Sequence, residues 1–296
     1  MHATTPVNID RAFLDREYDN VAKVSPSYFR RVIDALDHAS RHARTQYDAH
    51  LNVPYGPSGL ETLDIFCASE KDAPVHVFFH GGYWHALDKA SFSYVANGLV
   101  PHGVTTVIVN YPLMPAVRMD ELVDACCRAL AWVHRHLADY RADPGKLSLS
   151  GHSAGAHIVA MLLADREGQF PVLPALQGAC LFSGIYDLQP IRSSFVNDTL
   201  GLSAAEAERN SPMRFRCRQR IPVTIAVGGD EGSEYLRQSG VLLRAWKGSG
   251  RDPELTVLRH QNHFSIREQL GDPGSPAIRL VLEQLKRARQ GIGTPL

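Results

Sequence analysis

Between residues 63 and 258 the chain alternates short apolar, β-branched runs with stretches whose apolar residues recur at helical spacing. Residues 63–66, 75–79 (V-H-V-F-F), 104–109 (V-T-T-V-I-V), 147–150, 179–182, 223–227 and 255–258 are the predicted strands. Most are apolar without clean alternation, which suits strands buried on both faces of a sheet. Helices fall between them. Met119, Leu122, Val123, Cys126, Leu130, Val133 and Leu137 keep a helical period, with Asp120 and Glu121 where a helix N-terminus favours negative charge. Residues 27–44 form an earlier helical stretch placed to pack over the top or flank, and Tyr55-Gly56-Pro57-Ser58-Gly59 then turns the chain into the first strand. A closing amphipathic helix over 276–289 carries Ile278, Leu282 and Leu285 on one side. The alternation predicts an α/β fold, a mostly parallel central sheet flanked by helices.

One segment breaks the rhythm. Residues 184–221 lie between two strands, mix short helical pieces with polar residues, and carry Asn210-Ser211-Pro212. Connections this long usually have a function, and this one is expected to form a small cap over an active site. The expected organisation is a single domain over 1–296, with an N-terminal helical extension over about 1–50 and the cap as an insertion.

The run at 147–150 leads directly into Gly151-His152-Ser153-Ala154-Gly155, and a helical run over 156–165 follows. This is G-x-S-x-G in a strand–turn–helix setting, the nucleophile elbow of an α/β-hydrolase. The turn is so tight that a Cβ on either flanking glycine would strike the neighbouring strand or helix. Ser153 then stands proud of the sheet near a helix N-terminus, which favours developing negative charge.

The strand at 75–79 ends in His80-Gly81-Gly82-Tyr83-Trp84. An H-G-G motif here is where lipases and esterases aim backbone N–H groups at a tetrahedral oxyanion. Gly81, Gly82 and Tyr83 are the expected donors, joined by the amide of Ala154. His80 is expected to brace the loop without transferring a proton, and Tyr83 and Trp84 to line the substrate pocket.

Fourteen histidines compete for the role of base. Chain order decides, because triads on this fold run Ser, then Asp or Glu, then His. His157 lies on the nucleophile's own helix and would point along it. His260 sits close to the last strand, whereas His263, in Gln261-Asn262-His263-Phe264-Ser265, follows it and can reach over the sheet edge. His263 is therefore the expected base. The acid should follow the strand at 223–227, which leads into Gly228-Gly229-Asp230-Glu231. Neighbours in an extended loop point apart, so only one of Asp230 and Glu231 can orient the imidazole. Asp187, after the preceding strand, reads as a turn residue.

Composition narrows the partners. Lys plus Arg and Asp plus Glu both total 31, a formal charge of zero, which leaves no electrostatic footprint for nucleic acid or an anionic membrane. No stretch approaches the roughly 20 apolar residues of a membrane span, and the first residues have neither region of a signal peptide. The five cysteines, Cys67, Cys126, Cys127, Cys180 and Cys217, are odd in number and lack C-x-x-C spacing. They read as reduced core thiols of a cytoplasmic protein. His134 and His136 face different ways on a helix and His152 and His157 flank the nucleophile, so neither pair has zinc-ligand spacing. No metal or cofactor is expected. The expected partner is a small ester or amide substrate, with a homodimer left open.

The assembled pattern resembles the arylformamidase (kynurenine formamidase) branch of the esterase/lipase superfamily. H-G-G-Y-W, G-H-S-A-G-A-H, V-G-G-D-E-G-S-E-Y-L-R-Q-S and N-H-F carry the resemblance, with Y-D-N-V near Tyr18 and S-G-I-Y-D-L over 183–188. It therefore covers nearly the whole chain. The resemblance implies a metal-independent serine mechanism on small acyl or formyl substrates with an aromatic or planar remainder. It also implies Glu231 as the acid, at the fourth place of the G-x-x-acid turn. Many relatives have Asp there, and the longer side chain keeps Asp230 as the alternative. Tyr111, Leu113, Met114, Tyr186 and Phe195 are candidates for an aromatic pocket; singly each reads as ordinary packing, and Tyr186, opening the cap segment, stands out. The implied reaction is cleavage of an N-formyl or short N-acyl arylamide, or a carboxylic ester, through an acyl-enzyme. A general short-chain carboxylesterase would use the same residues. A non-catalytic small-molecule receptor on this fold usually lacks a triad member, and here none is missing.

Overall fold

The apolar runs come together in one sheet of eight strands, and their order in it differs from their order in the chain. The computed structural model describes residues 10–164, 176–248 and 252–290, with side chains through Leu285. Along the chain the strands are β1 (Ala49–Pro54), β2 (Thr62–Phe66), β3 (Ala73–Phe79), β4 (Thr105–Val109), β5 (Ala142–His152), β6 (Leu176–Phe182), β7 (Val223–Gly228) and β8 (Glu254–Leu258). In space they run β1-β2-β4-β3-β5-β6-β7-β8. β2 pairs antiparallel with both β1 and β4, and every pairing from β4 to β8 is parallel.

The pleat splits the core in two. Val75, Val77 and Phe79 of β3, with Val107 and Val109 of β4, face the helices Met119–His136 and Ala154–Leu163. Phe78 and Ile108, one position out of step, face the other way, toward the helices Pro26–Gln46 and Pro276–Gln290. That two-sided burial is why these strands read as unbroken apolar runs.

Helix Pro26–Gln46 starts where its sequence says it should. Pro26 stands in the first turn, and Ser25 caps it by accepting from the Tyr28 amide at 3.2 Å. Val32, Leu36, Ser40 and Ala43 make its buried stripe. Helix Arg11–Tyr18 precedes it within the expected helical extension, and one element was not anticipated: β1 occupies the stretch before the Tyr55–Gly59 turn. β1 is an edge strand in which half-buried and exposed residues alternate, so its apolar content is too thin to register.

Residues 184–221 hold three short α-helices, Gln189–Arg192, Val196–Leu200 and Ala204–Arg209, and a 3-10 turn over Pro212–Arg214. Leu188, Ile191, Val196 and Leu200 are buried in the first core, and Arg209 pairs with Asp120 at 2.6 Å at the start of helix Met119–His136. The last residue of the helical run expected over 156–165, Asp165, lies outside the described residues, as do residues 1–9. Among the described residues no helix is long and apolar enough to cross a membrane.

Candidate active site

β5 delivers Ser153 at its carboxyl end with φ 57° and ψ −120°, a left-handed backbone in a non-glycine residue. Its neighbours leave no alternative. A Cβ on Gly155 would lie 1.9 Å from the Phe79 carbonyl oxygen, and one on Gly151 would lie 2.3 Å from Gly155. The Ser153 amide donates to the Phe182 carbonyl at 2.9 Å, pinning the turn to β6. Helix Ala154–Leu163 starts at the next residue.

His263 follows β8 and reaches back over the sheet. Its Nδ1 lies 2.6 Å from Glu231 Oε2, with both side chains buried. The other Glu231 oxygen accepts from the Ser183 hydroxyl and the Gly228 amide, each at 2.6 Å. Burial raises the Glu231 carboxyl above the ordinary range, while these two donors work against burial and favour the carboxylate. Burial, with Arg267 and Lys23 nearby, pushes the His263 imidazole down and keeps it neutral. Asp230 points elsewhere: it is exposed, and its amide is bound to the Gln261 carbonyl at 3.0 Å. Asp187 pairs with Arg237 at 3.3 Å, and His260 is exposed.

The loop after β3 lies against the elbow. A Cβ on Gly81 would sit 3.0 Å from the His152 carbonyl oxygen and 3.2 Å from the Ser153 Cβ, a close approach that glycine eases. Gly82 has φ 119°, and Tyr83 and Trp84 have φ 48° and 61°. Among the described residues, no carbonyl or side chain accepts from the amides of Gly82, Tyr83 or Ala154. His80 lies beneath as a brace. It stacks on Tyr111 at 4.2 Å, its Nδ1 donates to the Gly81 carbonyl at 2.8 Å, and burial pushes it down to about 4.

A cavity of about 220 Å³ opens on Ser153, His152 and His263. Its wall differs from expectation. Asn20, Val21, Phe29 and Ile33 of the N-terminal segment line it, and no residue of 184–221 does. That segment packs instead on the flank, where Asn210 accepts from His157 Nε2 at 2.8 Å. Of the side chains expected in the pocket, Tyr83 lines the cavity, whereas Trp84 and Tyr186 are fully buried outside its lining. Trp84 Nε1 donates to His157 Nδ1 at 3.0 Å, so a residue read as a pocket wall belongs to the core. Tyr111 and Met114 are also core, and Phe195 is surface.

A family model for the alpha/beta hydrolase fold matches residues 76–216. A kynurenine formamidase of Danio rerio is 35% identical over 266 residues, 88% of this chain and 89% of that protein. The chain belongs to the kynurenine formamidase family of α/β-hydrolases. It is a hydrolase of that kind. Esterase LipQ of Mycobacterium tuberculosis is 34% identical over 46% of this chain and 35% of its own. A solved structure from Silicibacter sp. TM1040, assigned as a thioesterase, has a TM-score of 0.80 at 29% identity and covers 91% of this chain and 98% of that one.

In this kynurenine formamidase-family chain, sequence reasoning missed four residues around the cavity. Asn20 donates to Tyr235 at 2.7 Å and to Tyr83 at 3.1 Å. The Tyr235 and His263 rings lie 4.7 Å apart, centre to centre. Lys23 Nζ donates to the Glu231 carbonyl at 2.8 Å, and Arg267 lines the cavity. Asn20 and Tyr235 stood inside the quoted Y-D-N-V and D-E-G-S-E-Y motifs, which were the available signal.

Proposed function

We propose that the chain cleaves an N-formyl or short N-acyl arylamide, or a carboxylic ester, through an acyl-enzyme on Ser153. His263 takes the Ser153 proton as Oγ attacks the carbonyl carbon, and Glu231 holds the tautomer and stabilises the imidazolium. The amides of Gly81, Gly82, Tyr83 and Ala154 make up the oxyanion hole, each donor worth about 2.7–4 kcal/mol in comparable enzymes. When the tetrahedral intermediate collapses, the bond to the leaving nitrogen or oxygen breaks and His263 returns its proton there. A water, deprotonated by His263, then attacks the acyl-enzyme, releases the acid and restores Ser153.

The observation that carries this reading is the 2.6 Å contact between His263 and a buried Glu231, beside a serine held at φ 57° on the same cavity. The unused amides of Gly82, Tyr83 and Ala154 support it. The formamide preference rests on the kynurenine formamidase relatives. A short-chain carboxylesterase is the second reading, favoured by the likeness to Esterase LipQ. We also place the enzyme in the cytoplasm, since all five cysteines are buried free thiols.

The test compares N-formylkynurenine with p-nitrophenyl acetate, using the parent and Ser153→Ala. Formamide turnover that falls by roughly 10⁶-fold in Ser153→Ala supports the formamidase. Ester cleavage without formamide turnover moves the function to an esterase, and near-full activity in Ser153→Ala ends the serine mechanism.

A further inference from the structure

Away from Ser153, the edge of the sheet carries a group of donors that hydrolysis does not use. The Cys67 amide donates to the Asp48 carbonyl at 2.9 Å, which sets Cys67 across from Asp48 in the antiparallel pair β1–β2. His50 comes two positions after Asp48, so all three side chains share one face of the sheet. Phe66 lies opposite Thr106 near the start of β4, so Cys67 stands at the amino end of the parallel strands. Ser153 stands at their carboxyl end. One ligand atom from each of Asp48, His50 and Cys67 lies within 4.8 Å of the other two. Asp48 Oδ1 and His50 Nε2 face each other at 3.8 Å, too far apart for a hydrogen bond. Two ligands on a tetrahedral ion, with bonds of about 2.0–2.1 Å, stand roughly 3.4 Å apart. The surroundings already orient two of the three. Arg141 donates to the other Asp48 oxygen, Oδ2, at 2.8 Å and leaves Oδ1 free, as outer hydrogen bonds do for ligating carboxylates. The Tyr140 ring meets the His50 ring edge-on at 4.8 Å.

We propose that Asp48, His50 and Cys67 form a binding site for one zinc ion, remote from the nucleophile. A thiolate with an imidazole and one carboxylate suits zinc, whereas magnesium and calcium take oxygen ligands. Cys67 is a buried free thiol. Its proton leaves to solvent as the sulfur–zinc bond forms, and nothing is oxidised or reduced. Asp48 and His50 are exposed, so both can shift the few tenths of an ångström that closing on an ion requires. The site opens on a hollow of about 780 Å³ lined by Asp48, Cys67 and Arg141, which leaves the fourth position to water. The ligands come from both strands of the pair. Among the described residues β1 has only β2 beside it in the sheet, and it buries little. The ion therefore clasps the weakest edge of the sheet and stabilises the folded chain. Its place at the amino end of the strands keeps it out of the hydrolysis, and the proposal does not rest on the role of Ser153.

The test titrates chelator-treated, reduced protein with Zn²⁺ and, separately, with Co²⁺, whose thiolate complexes show a charge-transfer band. The parent is expected to bind one equivalent of either ion, and its cobalt complex to show the band. Cys67→Ser should abolish the band, and His50→Ala should weaken zinc binding by at least roughly 10-fold. Zinc should also raise the Tm of the parent and leave that of Cys67→Ser unmoved. A parent that takes up no stoichiometric zinc, or whose cobalt complex lacks the band, overturns the proposal, and neither result depends on a variant folding. Equal zinc binding by the parent and both variants places the ion on other histidines and overturns it too. Ser153→Ala should bind zinc as the parent does, so the metal site and the serine mechanism stand or fall separately.

Discussion

The Tyr83 hydroxyl donates to the Tyr18 carbonyl at 2.6 Å, joining the loop beside Ser153 to a segment 65 positions earlier in the chain. The same oxygen accepts from Asn20 at 3.1 Å and lies 3.1 Å from the Tyr235 hydroxyl. The N-terminal segment is thus bonded to the residues it covers.

Tyr83→Phe removes the shared oxygen and keeps the ring. A buried network deprived of one member loses about 1–3 kcal/mol, so the unfolding free energy from urea titration should fall by that amount. Unchanged stability would mean that the segment is held by other contacts.

The two adjacent acids should separate cleanly. Glu231→Gln leaves an amide beside His263 Nδ1, where only an acceptor serves, and is expected to lower kcat by roughly 10³- to 10⁴-fold. Asp230→Asn alters an exposed side chain and should leave the rate within about twofold. Steady-state kinetics on p-nitrophenyl acetate reads both, and the reverse order would transfer the acid's role to Asp230.

Acid should unfold the protein through its buried histidines. Burial pushes His76 down to about 3 and His80 to about 4, from an ordinary value of 6.5. Between those limits the unfolded chain holds protons that the native state lacks. Stability is therefore full above pH 6.5 and falls as pH drops, by up to about 1.4 kcal/mol per pH unit for each histidine. His76 bridges the Ser148 and Ser150 hydroxyls at 2.8 and 2.6 Å. Thermal melts from pH 7.5 to 5 should show a steeper decline for the parent than for His76→Gln, and parallel declines would refute the assignment.

Much of the fold was legible because β3 to β7 are buried on both sides and their apolar runs are unbroken. The elbow and the loop after β3 were legible because close backbone approach demands glycine at Gly82, Gly151 and Gly155. Other features lacked such a signal. β1 is a thin edge strand, and Trp84 follows a site motif yet turns inward to His157. The cavity wall was hardest to foresee. It depends on where a remote N-terminal helix comes to rest, and no local pattern around Val21 or Ile33 records that. Arg267 escaped notice because a lone arginine means little until the cavity it lines is known.

The Tyr18 hydroxyl donates to Glu234, 216 residues further along, at 2.8 Å. During synthesis the segment around Tyr18 emerges well before its anchor and must wait until Glu234, 216 residues later, has been made. The elbow is also complete long before Glu231 and His263 have been synthesised. A chain stopped before these residues therefore holds Ser153 without the His263 that shares its cavity, and the Tyr18 segment without its anchor.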